Sequence, residues 1–223
     1  AALFDFLVES RSLNCWPEGA TELAESLDFR HFAIISPAGR VISSLHHNGV
    51  DENILPQDGL TALAPLITEK GRHFSNVMAD AEGRPTIYLV EKLADGDTAI
   101  GAMGITYIAK LQGQITLGER GHAAIVDSSG SIIAHPNPNC SKEMKNIARF
   151  KWVGHMIQGE SGVTEFYSPA VKADMITGYT VVPGVGWGVM VPQPLDELRD
   201  RAAASRGVQI GIMVGGVVLA ALL

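Results

Sequence analysis

The sequence predicts an α+β fold of two tandem units, each an antiparallel sheet with flanking helices, set between a long N-terminal helix and a C-terminal transmembrane helix. Three observations predict it. RGHAAIVDSSGSIIAH, from Arg120 to His135, repeats RHFAIISPAGRVISS, which begins at Arg30, at an offset of 91 residues from His31 to His122. Residues 83–106, GRPTIYLVEKLADGDTAIGAMGIT, echo 173–194, ADMITGYTVVPGVGWGVMVPQP. The C-terminal run GVQIGIMVGGVVLAALL, 207–223, carries no charged residue.

The elements follow in order. Leu3, Phe4, Leu7 and Val8 mark one face of a helix over residues 1–13, and a second apolar-patterned stretch runs from Glu18 to Asp28. Each repeat then sets two apolar runs around a polar turn, FAIIS-PAGR-VISS and AAIVD-SSGS-IIAH. Apolar strands flanking a turn whose glycine, Gly39 or Gly130, takes positive φ make a β-hairpin. The matched pairs Ala33/Ala124, Ile34/Ile125, Val41/Ile132 and Ile42/Ile133 mark duplicated structure. Asp127 sits where a carboxylate bonds its own turn, a structural role. The middles, Gly59–Gly71 and Ser141–Gly159, read as helices; in the second, Met144, Ile147, Phe150, Val153 and Ile157 recur at helical spacing. The echoed hairpins close each unit, with Gly101-Ala102-Met103 aligned to Gly188-Val189-Met190. This divides the chain into N-terminal helices (1–27), a first unit (28–108), a connector (109–117), a second unit (118–192), a juxtamembrane helix (193–206) and a truncated span (207–223). Pro192-Gln193-Pro194 opens the juxtamembrane helix, with Asp196 and Glu197 near the positive end of its dipole. A span needs about 17–25 apolar residues, which 207–223 just reaches. With no initiator Met and an apolar end, the chain is expected to be part of a longer protein.

Composition excludes several classes. A net charge of −7, with no basic run interleaved with aromatics, argues against nucleic acid as a partner. Cys15 and Cys140 show neither disulfide-framework nor zinc spacing. No G-x-S-x-G, P-loop or H-E-x-x-H occurs, and Gly184–Gly188 lies between strands with no helix following, so no cofactor or metal is expected. His46-His47 points to opposite faces of an extended chain and reads as a solvated pair.

GHAAIVDSSGSIIAHPNP (121–138), FYSPAVKADMITGYTVVPGVGWGVMVPQPLDEL (166–198) and the apolar run resemble the double Cache family, the tandem PAS-like extracytoplasmic sensors of bacterial chemoreceptors, sensor histidine kinases and transmembrane cyclases or diguanylate cyclases. The resemblance covers roughly Ser26 to Leu223. It implies a membrane-distal and a membrane-proximal PAS-like unit, residues 1–206 outside the bacterial inner membrane, a preceding membrane helix, a cytoplasmic output module after Leu223, and a homodimer. Arg199, Arg201 and Arg206 taken alone would put that flank in the cytoplasm; the resemblance outweighs them.

The expected activity is small-molecule sensing without catalysis. In the distal unit the candidates are Arg72 and Arg84, whose guanidinium forks onto a carboxylate, with Phe74 and Tyr88 as walls. In the proximal unit they are His135, Tyr167, Asp174 and Tyr179, with Lys172 beside them. Amino-acid-binding members carry Arg-x-Trp-Tyr and an Asp near the last strand. Here those positions read Arg72-His73-Phe74-Ser75 and Gly101-Ala102-Met103-Gly104. The expected ligand is therefore a small organic molecule, a carboxylate among the candidates. Two rivals stay open: a membrane-tethered hydrolase using Asp127, His135 and Asp174, and a passive structural ectodomain.

Overall fold

The structure, a computed structural model, describes residues 2–10, 19–46, 56, 58–68, 71–169, 171–203 and 213. Its β1 (Phe29–Ile35) and β2 (Val41–His46) form the first predicted hairpin; β9 (Ala124–Val126) and β10 (Ile132–Ala134) form the second. The duplication extends to the register. Ile34 faces Ser43 and Ile35 faces Val41 across a bulge, and 91 residues later Ile125 faces Ala134 and Val126 faces Ile132 across the same bulge. Gly39 and Gly130 take φ of 77° and 83°, the left-handed turn positions that both copies need.

The remaining strands are β3 (Arg72–Phe74), β4 (Met78–Ala79), β5 (Pro85–Lys92), β6 (Thr98–Gly104), β7 (Thr116–Leu117), β8 (Gly121–His122), β11 (Gly162–Ser168), β12 (Ala173–Val182) and β13 (Trp187–Pro194). The first sheet runs β2-β1-β6-β5-β3, with β4 also on β5, and the second runs β10-β9-β13-β12-β11. All pairings are antiparallel, and the two orders correspond strand for strand. The pairing corrects one alignment. Ile34 faces Ala99 while Ile125 faces Val189, so Ala99 corresponds to Val189, and the match of Gly101–Met103 to Gly188–Met190 is three residues out. Short apolar runs fit one another at several offsets, and only hydrogen-bonded neighbours select one.

Helix α1 (Ala2–Glu9) lays Leu3, Phe4 and Leu7 on one face of the first sheet, where they meet Phe29, Phe32 and Leu89; α2 (Ala20–Ser26) adds Ala20 and Ala24. The other face, with Ile35, Tyr88, Val90, Ile100 and Ala102, is covered by a 3-10 turn (Gly59–Leu63) and α3 (Ala64–Thr68). Coverage on both faces explains why β1, β5 and β6 read as continuous apolar runs rather than alternating ones.

In the second unit, the single helix expected over Ser141–Gly159 is instead α5 (Pro138–Lys142) and α6 (Lys151–Ile157). Asn137 caps α5 by accepting from the Asn139 amide, and Met144 leaves helical space at φ 47°. The intervening chain is then drawn along the hairpin turn: Ile132 N donates to Lys145 O at 3.0 Å and Ile147 N to Gly130 O at 2.9 Å. These tertiary hydrogen bonds outweigh the apolar spacing, and of that stripe only Val153 and Ile157 lie in α6.

Between the sheets, α4 (Thr106–Gly113) leads into β7. Val77, Ile87 and Ile108 from the first half pack with Ile125, Ile133 and Ala134 from the second in one shared core. Pro192 and Pro194 lie in β13, opposite Thr177 and Met175, rather than in a helix. Strand β9 ends opposite Met190, so the prolines' missing donors break no ladder on that side. Helix begins at 195 and is described to 203. No helix among the described residues is long and apolar enough to cross a membrane; the expected span, 207–223, lies outside them apart from Met213.

Candidate functional site

On the first sheet, a turn and a strand bring Arg84 and Tyr88 together. The fully buried Asp80 carboxylate accepts from the Glu82 amide at 3.0 Å, the Arg84 amide at 2.8 Å and Arg84 Nε at 2.9 Å. Thr86 Oγ1 donates to it at 3.3 Å, and Arg30 Nη1 stands 3.7 Å away while Arg30 forks onto Asp28. Two residues along β5, Tyr88 lies on the same face. Burial raises its phenol above the ordinary range and the Asp80 charge adds to this, against Arg30 and Arg84.

The structure does not bring Arg72 and Phe74 to this cluster. Arg72 lies on the α1 face, with its Nη2 2.6 Å from Glu91, an ion pair to Asp5, and its guanidinium 5.1 Å over the Phe4 ring. Phe74 packs edge-on against Trp187 at 5.8 Å, at the junction of the sheets. Alternation along a strand explains both placements: Arg72 pairs with Glu91, an odd step from Tyr88, and so faces the other way.

The second sheet carries a cavity of about 710 Å³. Its floor is Met175 and Met190 from β12 and β13. One wall is a set of three rings: Trp152 lies 5.2 Å from Phe166 and 6.1 Å from Phe150, and Phe150 lies 6.2 Å from Phe166. His122, His135, Lys145 and Arg149 supply its ionisable groups apart from the Cys140 thiol, and no carboxylate among the described residues lines it. His122 and His135 meet edge to face at 5.6 Å. The Asn137 amide donates to His135 Nδ1 at 2.9 Å, so the neutral ring carries its proton on Nε2. Burial pushes the His135 imidazole below its ordinary value, and His122 adds to the shift.

Of the proximal candidates, His135 lines the cavity, and Tyr179 lies behind its wall, its ring tilted against Trp152 at 5.9 Å. Tyr167 and Asp174 face each other across β11 and β12, one step out of phase with the lining residues Phe166 and Met175, and so project from the opposite face. Lys172 occupies the turn between those strands at φ 51°. The hydrolase trio does not converge. Asp127 is buried and saturated, accepting from Ser129 N, Ser129 Oγ, Ser131 N and, across the junction, Val77 N at 3.0 Å. Among the described residues no group of three or more His, Cys, Asp or Glu could hold a metal ion. Sequence reasoning missed Lys145, Arg149, Trp152 and Phe166. The signal for the first three was the basic and aromatic run KNIARFKW, read only as a helix; Phe166 lies outside it, in FYSP.

The family model of the Cache domain, dCache_1, matches residues 17–202. The chain belongs to the Cache domain family. Among solved structures, this Cache chain is similar to the extracellular domain of rpHK1S-Z16, assigned as a histidine kinase, at 14% identity, covering 88% of this chain and 86% of that one with a TM-score of 0.64. It is also similar to the periplasmic sensory domain of the Campylobacter jejuni chemoreceptor Tlp1, at 12% identity, covering 88% and 86% of the two chains, TM-score 0.56. The third is the ligand binding domain of the Pseudomonas aeruginosa PAO1 amino acid chemoreceptor PctB in complex with L-Arg, at 14% identity, covering 93% and 94%, TM-score 0.56. At these identities the likeness is one of fold. A comparison with curated proteins returns no match.

Proposed function

We propose that this Cache chain is the extracytoplasmic small-molecule sensing region of a bacterial transmembrane receptor, a chemoreceptor, sensor histidine kinase or cyclase. The observation that carries the reading is the continuity of cavity wall and outgoing helix. Met190 and Pro192 of β13 line the cavity, and the same strand passes directly into helix 195–203. A ligand that draws β13 toward it displaces the start of that helix, and the signal is limited to the ligand's differential affinity for the two positions. Two PAS-like units in tandem, a membrane span at 207–223 and a homodimer in the inner membrane complete the proposal. The distal unit contributes a site at Arg84 and Tyr88; the ligand bound in PctB is an amino acid, and a small amino or organic acid suits a guanidinium beside a phenol.

Thermal unfolding of the purified chain against amino acids and small organic acids tests this. A ligand at 100 times its Kd stabilises by about 2.7 kcal/mol, which raises Tm by roughly 5–10 °C for a chain of this size. Tyr88→Phe reduces the shift for a distal ligand. A panel in which no compound raises Tm removes the reading.

A further inference from the structure

We propose that the cavity of the second sheet is a ligand site in its own right, selective for a small organic anion with an aromatic body and no ammonium group. This rests on the sensing reading and deepens it, naming the class of ligand for the cavity whose wall continues into the outgoing helix; the distal site at Arg84 and Tyr88 lies on the other sheet.

Charge is the first ground. The chain carries 24 Asp and Glu against 17 Lys and Arg, yet no carboxylate among the described residues lines this cavity. Its cations are also uncommitted. Arg30, Arg72, Arg84, Arg120 and Arg201 each sit in an ion pair. Lys145 and Arg149 make none among the described residues, and the Arg149 guanidinium rests 5.3 Å over the Phe150 ring at the edge of the aromatic wall. An anion entering here meets two permanent cations and two imidazoles. The ammonium of an amino acid meets these cations and, among the described lining residues, no group of opposite charge to offset its lost hydration.

Shape and an unsatisfied donor are the second ground. A volume of about 710 Å³ lies in the range of small-molecule sites, and Phe150, Trp152 and Phe166 offer faces and edges to a planar ring. Trp152 Nε1 is buried without a hydrogen-bond partner among the described residues. A buried indole N–H without a partner costs stability, and a carboxylate that the Trp152 ring turns to meet relieves it.

The test is isothermal titration of the purified chain with three probes that share a ring and differ in charge: phenylacetate, L-phenylalanine and phenethylamine. Phenylacetate binds, L-phenylalanine binds about tenfold or more weakly, and phenethylamine fails to bind. Lys145→Ala with Arg149→Ala, both exposed positions, leaves Tm unchanged and weakens phenylacetate about tenfold or more. Phenylacetate quenches tryptophan fluorescence, and Trp152→Phe abolishes the quench. Equal binding of phenylacetate by the double variant, or equal binding of phenethylamine, overturns the inference. So does a chain that amino acids stabilise but no aryl carboxylate binds, a result that leaves the sensing reading intact. Failure of every compound overturns both.

Discussion

Gly39 and Gly130 hold matching positions in the two repeats, yet their surroundings differ. A Cβ at Gly39 meets open space, whereas one at Gly130 falls 2.9 Å from Ala148 Cβ. Gly39→Ala therefore costs only the left-handed strain, about 1 kcal/mol, and Gly130→Ala costs more, about 2–3 kcal/mol, by chemical denaturation. His135 governs a pH dependence. Its folded imidazole is held below the ordinary 6.5 by burial first, then by His122 and Lys145. The folded protein resists taking up this proton, so the contribution is complete above pH 6.5 and is lost as pH falls through the lowered value. Arg149, Cys140 and Lys145 also face the ring in the cavity, and none supplies a compensating negative charge. Stability measured between pH 7.5 and 5 falls, and His135→Gln flattens the slope.

At the scale of elements, α6 is held by packing rather than propensity. Val153 and Met156 are fully buried against β9 and β13, and Met156 lies where a side chain on Gly188 would stand. Met156→Ala costs about 2–5 kcal/mol in denaturant unfolding. The outgoing helix is latched to the β7–β8 turn. Glu197 accepts from the Glu119 amide at 2.7 Å and the Arg120 amide at 3.2 Å and pairs with Arg201 at 2.9 Å, while Arg120 reaches Asp196 at 2.5 Å. Glu197→Ala speeds hydrogen exchange at those two amides and leaves the sheet amides unchanged; unchanged exchange at both contradicts the latch. Strands were the readable elements, because a buried two-residue alternation or a continuous apolar run leaves its mark locally. The single helix expected over 141–159 does not form because its stripe belongs partly to an extended segment whose hydrogen-bond partners, Gly130 and Ile132, come from a distant turn.

At the scale of the molecule, the shared core and Asp127 join the sheets. Asp127 ties its own turn and also accepts from Val77 N, and Ser128 Oγ donates to Asn76 at 2.7 Å. Asp127→Asn sets an amide donor against one of these N–H groups and costs about 1–3 kcal/mol. Calorimetry of the wild-type chain shows one transition for both sheets; two separated peaks contradict the coupling across the junction.

The 91-residue repeat by itself determined the hairpins, their turn glycines and the doubled α+β plan, because register and φ are set by neighbours within one hairpin. Tertiary structure alone decided that Arg72 faces α1, that Tyr167 and Asp174 turn away from His135, and that Lys145, Arg149, Trp152 and Phe166 surround one cavity. The reason is physical: a binding site is defined by which faces of separate strands and loops converge, and a one-residue step in strand phase moves a side chain to the opposite side of the sheet.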